Sequence, residues 1–323
     1  MTATPAERTE RLARLGRLGG WLLAVGGLIA FAAGALWFAS GPAGGLRRAL
    51  SEGPVGQTDR ALVLALLIGA LVGLIGLAVY VVVPGLEPSL ARRDLGRPTA
   101  ILASLAAVMV LGNLLPLPLI YLTVGPRPPD PLPPAALAAA LLGSSAALMV
   151  VLVWRVVRPG AITWADMGLT TDHLERRLAQ GAVGGMILFV LAALVGELMR
   201  RAGVDQTQLS QFRGVQGVGP SQFLGLWLLV AVVAPICEEA FFRGYVFTAL
   251  RGRFGRPLAY LGSSLLFASV HLNLPALVPI TVMGLGLTFL YDRSRSLVPG
   301  IVAHGLNNAV ALMLIVIYGR LAT

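Results

Sequence analysis

Seven side chains in the last third of this 323-residue chain are of the types that chemistry uses: Glu238, Glu239, Arg243, His271, His304, Asn307 and Asn308. They stand in the stretches "EEAFFR", "FASVH" and "HGLNN", each inside or beside an apolar run. A charged side chain at the centre of a membrane helix costs roughly 2.5–3.5 kcal/mol on insertion scales, so such groups face a protein interior or a wet cavity. Charges clustered this closely must satisfy one another or serve a site.

Helical spacing separates their jobs. Glu239 and Arg243 are four residues apart with the acid first, the favourable order for an ion pair on one helix face. Glu238 projects about 100° away and is left free. A carboxylate in apolar surroundings is a stronger base than one in water, which suits a general base. His304 and Asn308 are also four apart and can face one cavity, while His271 follows Phe267 by one turn. One glutamate, two histidines and an asparagine on three helices form a compact set for activating water. The glutamate accepts a proton and one histidine orients the water or shares its proton. The second histidine and the asparagine donate to a developing oxyanion. Glu238, His271 and His304 with a water could instead hold a divalent metal such as zinc. No HExxH stretch occurs, and the glutamate reading requires no cofactor.

The elements that carry these residues are membrane helices. The chain is 56% hydrophobic and only 12% charged, with a mean hydropathy of +0.80. A soluble protein of this length carries about twice that charged fraction. Nine apolar segments can be marked, at roughly 18–39, 61–83, 99–124, 135–157, 180–198, 222–247, 257–273, 276–291 and 297–318. Several reach the ~20 residues needed to cross a bilayer. The seventh and eighth are short and are expected to tilt or to span only partly. Breakers lie where loops are needed: "GPAGG", "VPGLEPS", "GPRPPDPLPP" and "RPG". The expectation is an all-α fold, a polytopic transmembrane helix bundle of eight or nine membrane helices.

The formal charge is +10, and all 25 basic residues are arginine. They fall mostly between apolar segments, a pattern of topology signals and not of a nucleic-acid footprint. With the N-terminus in the cytoplasm, 16 arginines lie inside and 8 outside, which favours that orientation. The arginine-only, Ala/Gly/Leu/Val-rich composition suggests a GC-rich bacterial genome, hence an integral protein of the plasma membrane. The first apolar run follows Arg8, Arg11, Arg14 and Arg17 but exceeds a signal peptide's 7–15 apolar residues, so it reads as a retained helix. The single cysteine, Cys237, excludes an intrachain disulfide and a multi-cysteine zinc cluster.

Three parts are expected. Residues 1–160 form an N-terminal four-helix transmembrane region with almost no polar residues inside it. Residues 161–179, "WADMGL" and then "TTDHLERRLAQ" in the main, form a cytoplasmic amphipathic link. Residues 180–323 form the helix bundle that holds the chemistry.

The three motifs, Glu238-Glu239-x-x-x-Arg243, Phe267-x-x-x-His271 and His304-x-x-x-Asn308, occur in the order found in one family. Over roughly residues 222–316 the chain resembles the intramembrane CAAX-protease and bacteriocin-processing family, also called the Abi family, which includes the type II CAAX prenyl endopeptidases. The resemblance implies an endopeptidase with its site buried among helices and open to the cytoplasmic side. It also implies water activation by Glu238 and His271, and oxyanion binding by His304 and Asn308. Members are often described as metalloproteases, and a metal-free glutamate mechanism is also argued for them. Glu239 and Arg243 are read as structural support of the site. The partners expected are a peptide or membrane-protein substrate and the lipid bilayer, with no nucleic acid. Two other classes would explain intramembrane charges. A proton-coupled transporter would place them in broken helices, but here they gather in one third of the chain with no matching half. A catalytically silent scaffold or immunity protein would be expected to have lost Glu238, His271 or His304, and all are present.

Overall fold

The computed structural model describes residues 5–40, 57–86, 92, 95–125, 132–169, 172–204, 215 and 218–321. The breaker "GPAGG" lies outside the described residues, as do the last three residues of "VPGLEPS", most of "GPRPPDPLPP" and the arginines Arg47, Arg48, Arg93, Arg127 and Arg213. Among the described residues there are helices and no strands. They are α1 (Pro5–Ser40), α2 (Gln57–Leu86), α3 (Pro98–Leu114), α4 (Leu117–Val124), α5 (Pro134–Leu152), α6 (Leu174–Arg201), α7 (Pro220–Phe254), α8 (Arg256–Ser269), α9 (Leu277–Ser294) and α10 (Leu297–Leu321). Each predicted apolar segment falls on this series. The protein is an all-α polytopic bundle.

Six stretches among the described residues are long and apolar enough to cross a membrane: Glu7–Ile29, Pro98–Val124, Pro134–Val157, Leu174–Arg201, Pro220–Phe254 and Leu297–Ile317. The short seventh segment becomes α8, whose 14 residues reach about 21 Å, less than a ~30 Å hydrocarbon core.

The chain divides into two compact units, Met1–Val110 and Leu111–Thr323, so the expected boundary near residue 160 does not coincide with the division. In the first unit α1 and α2 pack along each other. A Cβ on Gly26 would lie 2.3 Å from the Gly73 backbone nitrogen, so close packing there needs glycine. Tyr80 donates to the Ala100 carbonyl at 2.8 Å and shares a hydrogen bond with Ser104, a small polar knot in an apolar interior.

In the second unit α6 packs against α9 and α10, α8 against α9, and α7 touches α5, α8, α9 and α10. The helix that carries "EEAFFR" is thus walled on several sides, and Phe241 to Phe247 are all buried. α7 is not a uniform α-helix. Two wide π-turns, Leu229–Val233 and Ala240–Phe247, flank the short α segment Ala234–Glu239. Pro235 explains the first. It has no N–H to give and crowds the preceding turn, and a π-bulge relieves both.

The expected amphipathic link is not one element. "LERRLAQ" forms the first two turns of α6, and residues 161–169 are turns. The cause is local. Asp166 accepts from the Thr163 amide at 2.8 Å and hydroxyl at 2.7 Å, which closes a turn and holds its carboxyl below the usual carboxylate range. Met167 is then fully buried, beside Gly244 of α7. Gly168 has φ +73°, and Ser296 donates to its carbonyl at 2.9 Å. A Cβ at Gly168 would meet the Arg295 carbonyl at 2.1 Å. Gly168→Ala is therefore expected to cost more than ~1 kcal/mol. Gly160→Ala also has a positive φ but meets nothing within 4 Å. Thermal unfolding in detergent should show the larger drop at Gly168; equal drops would remove the docking role of this turn.

Candidate active site

Four of the singled-out side chains form one connected buried group. Arg243 Nη1 donates to Glu239 Oε1 at 2.8 Å, and both side chains are fully buried. This is the i,i+4 pairing that the spacing predicts. Glu239 Oε1 also lies 3.0 Å from His304 Nδ1, a contact between residues 65 apart in sequence. The other face of that imidazole turns to Glu238, with His304 Nε2 3.7 Å from Glu238 Oε2. The two adjacent glutamates therefore meet the two nitrogens of one histidine. Two carboxylates, a guanidinium and an imidazole share the volume, a set that can balance its own charge.

The rest of Arg243 is held by softer contacts. Its Nη2 donates to the Gly284 carbonyl of α9 at 3.2 Å, and its guanidinium carbon lies 4.4 Å from the Phe267 ring centroid. A desolvated cation over an aromatic face is favourable. Glu239 Oε2 has no hydrogen-bond partner, and it fits only because residue 300 is glycine: a Cβ there would sit 2.9 Å from it.

Phe267 is the hub of the site. Fully buried, its ring meets Phe242, His271 and His304 edge-on at centroid distances of 5.2, 5.1 and 5.7 Å. His271 lies just past the end of α8, and its Nδ1 is 2.9 Å from the Phe267 carbonyl. A carbonyl only accepts, so Nδ1 carries the proton and the lone pair of the neutral ring is on Nε2. His271 thus joins the group through the Phe267 ring, with no direct hydrogen bond to Glu238 or His304.

Asn308 is placed by Pro235. In the π-turn the Val230 carbonyl would be served by the amide of residue 235, which proline lacks. Asn308 Nδ2 donates to it instead, at 3.0 Å. The next carbonyl, Ala231, would lie 2.3 Å from a Cβ on Gly305, so α10 presents glycine there. One Asn308 N–H is spent on this bond, and the amide keeps a second. Asn307 turns the other way and ties α10 to α6 through the Gly185 carbonyl at 3.0 Å.

The metal reading does not fit. No group of three or more His, Cys, Asp or Glu side chains among the described residues is placed to hold an ion. Zinc needs its nitrogen ligands about 2.0–2.1 Å from one point. Here His271 reaches the cluster only through the Phe267 ring, so the three candidate ligands are not gathered round one point.

One carboxylate that organises the bundle went unread in the sequence. Asp292, buried at the end of α9, accepts from Arg251 at 2.6 Å, from Arg256 at 2.9 Å and from Tyr260 at 3.1 Å. It fastens the end of α7 and the start of α8 to α9. The signal for it was a lone acid in "YDRSRS", facing an arginine-rich helix end.

Removing one partner of a buried ion pair typically costs 3–5 kcal/mol, because the other charge is stranded. Glu239→Gln should lower the melting temperature in detergent markedly, and Arg243→Met added to it should restore part of the loss. No recovery in the double variant would mean that the pair is not what the loss reports.

A protein-family model described as "Type II CAAX prenyl endopeptidase Rce1-like" matches residues 220–310, the segment from the start of α7 to just past Asn308. The chain is 35% identical over 94 residues to the "Putative membrane peptidase YdiL" of Bacillus subtilis (strain 168), a match over 29% of this chain and 38% of that protein. It is 25% identical over 123 residues to the "UPF0177 protein YxdF" of Lactococcus lactis subsp. lactis (strain IL1403), over 37% of this chain and 68% of that protein. No solved structure shows a significant match. The chain thus spans less than two fifths of the Bacillus protein, and the family model covers the helices that build the cluster. Residues 220–310 of this membrane protein, less than a third of the chain, match the type II CAAX prenyl endopeptidase Rce1-like family model.

Proposed function

We propose that the protein is an intramembrane endopeptidase in which Glu238 activates a water. One observation carries the reading: of two adjacent glutamates, Glu239 is fully buried and meets Arg243 and His304 through Oε1, whereas Glu238 keeps 21% side-chain exposure and its Oε2 has no hydrogen-bond partner. That exposure places Glu238, and not Glu239, at the open side of the group. A buried acceptor left open is costly unless something is meant to meet it.

In this mechanism a water hydrogen-bonds to Glu238 and to the Nε2 lone pair of His271. It attacks the carbonyl carbon of the scissile peptide bond as Glu238 takes its proton. The tetrahedral oxyanion accepts from His304 Nε2–H, with the ring in its imidazolium form, and from the second N–H of Asn308. Glu238 then passes the proton to the leaving amine as the C–N bond breaks. Glu239 and Arg243 do not touch substrate; they hold His304 in orientation. The family supports a peptide or membrane-protein substrate, cut near the membrane face toward which most arginines are read to lie. That face is cytoplasmic in the proposed orientation, in a bacterial plasma membrane with the N-terminus inside.

Detergent-purified wild type and Glu238→Gln should be run side by side on a library of peptides and prenyl-peptides. Cuts made by the wild type should slow by at least ~10²-fold in the variant, at an unchanged melting temperature. Cuts that persist in the variant would remove Glu238 from the chemistry. A folded wild type that makes none would favour the silent-scaffold reading.

A further inference from the structure

A groove of about 550 Å³ runs between α6 and α9. Its two ends differ in chemistry. Arg176 and Gln180 stand in the first two turns of α6, and Arg293 in the last turn of α9, so the cations gather at one mouth. Below them the wall is apolar, with Val183, Ile187 and Phe289 all exposed. None of the lining residues is acidic. The nearest buried acid, Asp292, is already engaged by Arg251 and Arg256. From Arg176 to Ile187 the helix rises about 16 Å, the depth of an acyl chain in one leaflet.

We infer that this groove binds an anionic phospholipid. The phosphodiester sits between Arg176 and Arg293, with Gln180 donating to a headgroup oxygen and one acyl chain against Val183, Ile187 and Phe289. Charge complementarity selects this occupant over a neutral lipid. Arginine suits it because its planar fork matches phosphate oxygens. An apolar ligand alone would leave two clustered cations unanswered, and a free phosphate would leave the apolar wall idle. Because the groove joins α6 to α9, which supplies the Gly284 carbonyl to Arg243, the bound lipid braces the helices behind the site.

The test is competition between phosphatidylglycerol and phosphatidylcholine on the full chain, read by native mass spectrometry. Two arginines near a phosphate should favour phosphatidylglycerol by about thirtyfold. Arg176→Gln with Arg293→Gln should bring the ratio close to one, while Arg253→Gln, an exposed arginine outside the groove, should leave it unchanged. Ile187→Trp should lower retention of phosphatidylglycerol by filling the wall. Three results would each overturn the assignment: an unchanged preference in the double variant, equal retention of both lipids by the wild type, or displacement of phosphatidylglycerol by inorganic phosphate. Capture of a farnesylated peptide in its place, indifferent to both arginines, would give the groove to an uncharged isoprenoid and overturn it too.

Discussion

A guanidinium and a carboxylate with no exposure, in the middle of an apolar helix, set the terms for everything around them. The attraction between Glu239 and Arg243 does not by itself offset their desolvation, which is why buried pairs need further hydrogen bonds. The neighbouring helices supply them. α10 brings His304, α9 brings the Gly284 carbonyl, and α8 brings the Phe267 ring. To deliver these groups the three helices must crowd α7, which places glycine at residue 300, against Glu239 itself. The requirement that stabilises the pair also fixes the geometry of the site. Once Glu239 holds His304 by Nδ1, the other nitrogen can only face Glu238.

Pro235 imposes a second constraint on the same helix. It frees carbonyls toward α10, and the π-turns on either side of Ala234–Glu239 let the chain keep a helical path around them. Asn308 and Gly305 answer those carbonyls from α10, one by donating and one by leaving room. Two separate interactions, His304 to Glu239 and Asn308 to Val230, therefore pin α10 to α7 one turn apart. Asn308 acts on position whatever it does in chemistry, since half of its donor capacity is already committed.

Much of this was legible in the sequence. Apolar runs and their breakers located the helices, because membrane solvation leaves few other options for such segments. The four-residue spacing of Glu239 and Arg243 announced their pairing, because it depends only on helix geometry. Spacing could not show that His304 reaches Glu239 across 65 residues, or that both histidines rest on Phe267, because those contacts depend on how separate helices pack. The zinc set failed for the same reason: three ligand types in a sequence say nothing about whether their nitrogens converge. Met167 was hidden differently. In a stretch read as an amphipathic link it looked like one more apolar residue, and only the turn closed by Thr163 and Asp166 sends it into the core. Asn308 had a visible clue, a proline inside a membrane run that must leave carbonyls open.

The central claim is that Glu239 holds His304 by its Nδ1 proton. With only three histidines in the chain, their ring nitrogens can be resolved by 15N NMR of labelled protein in lipid, using His271→Gln and His173→Gln for assignment. His304 Nδ1 should carry a proton in the wild type, with a shift that moves on Glu239→Gln. A bare Nδ1, unchanged by that substitution, would contradict the orientation of His304 on which the proposed water and oxyanion sites depend.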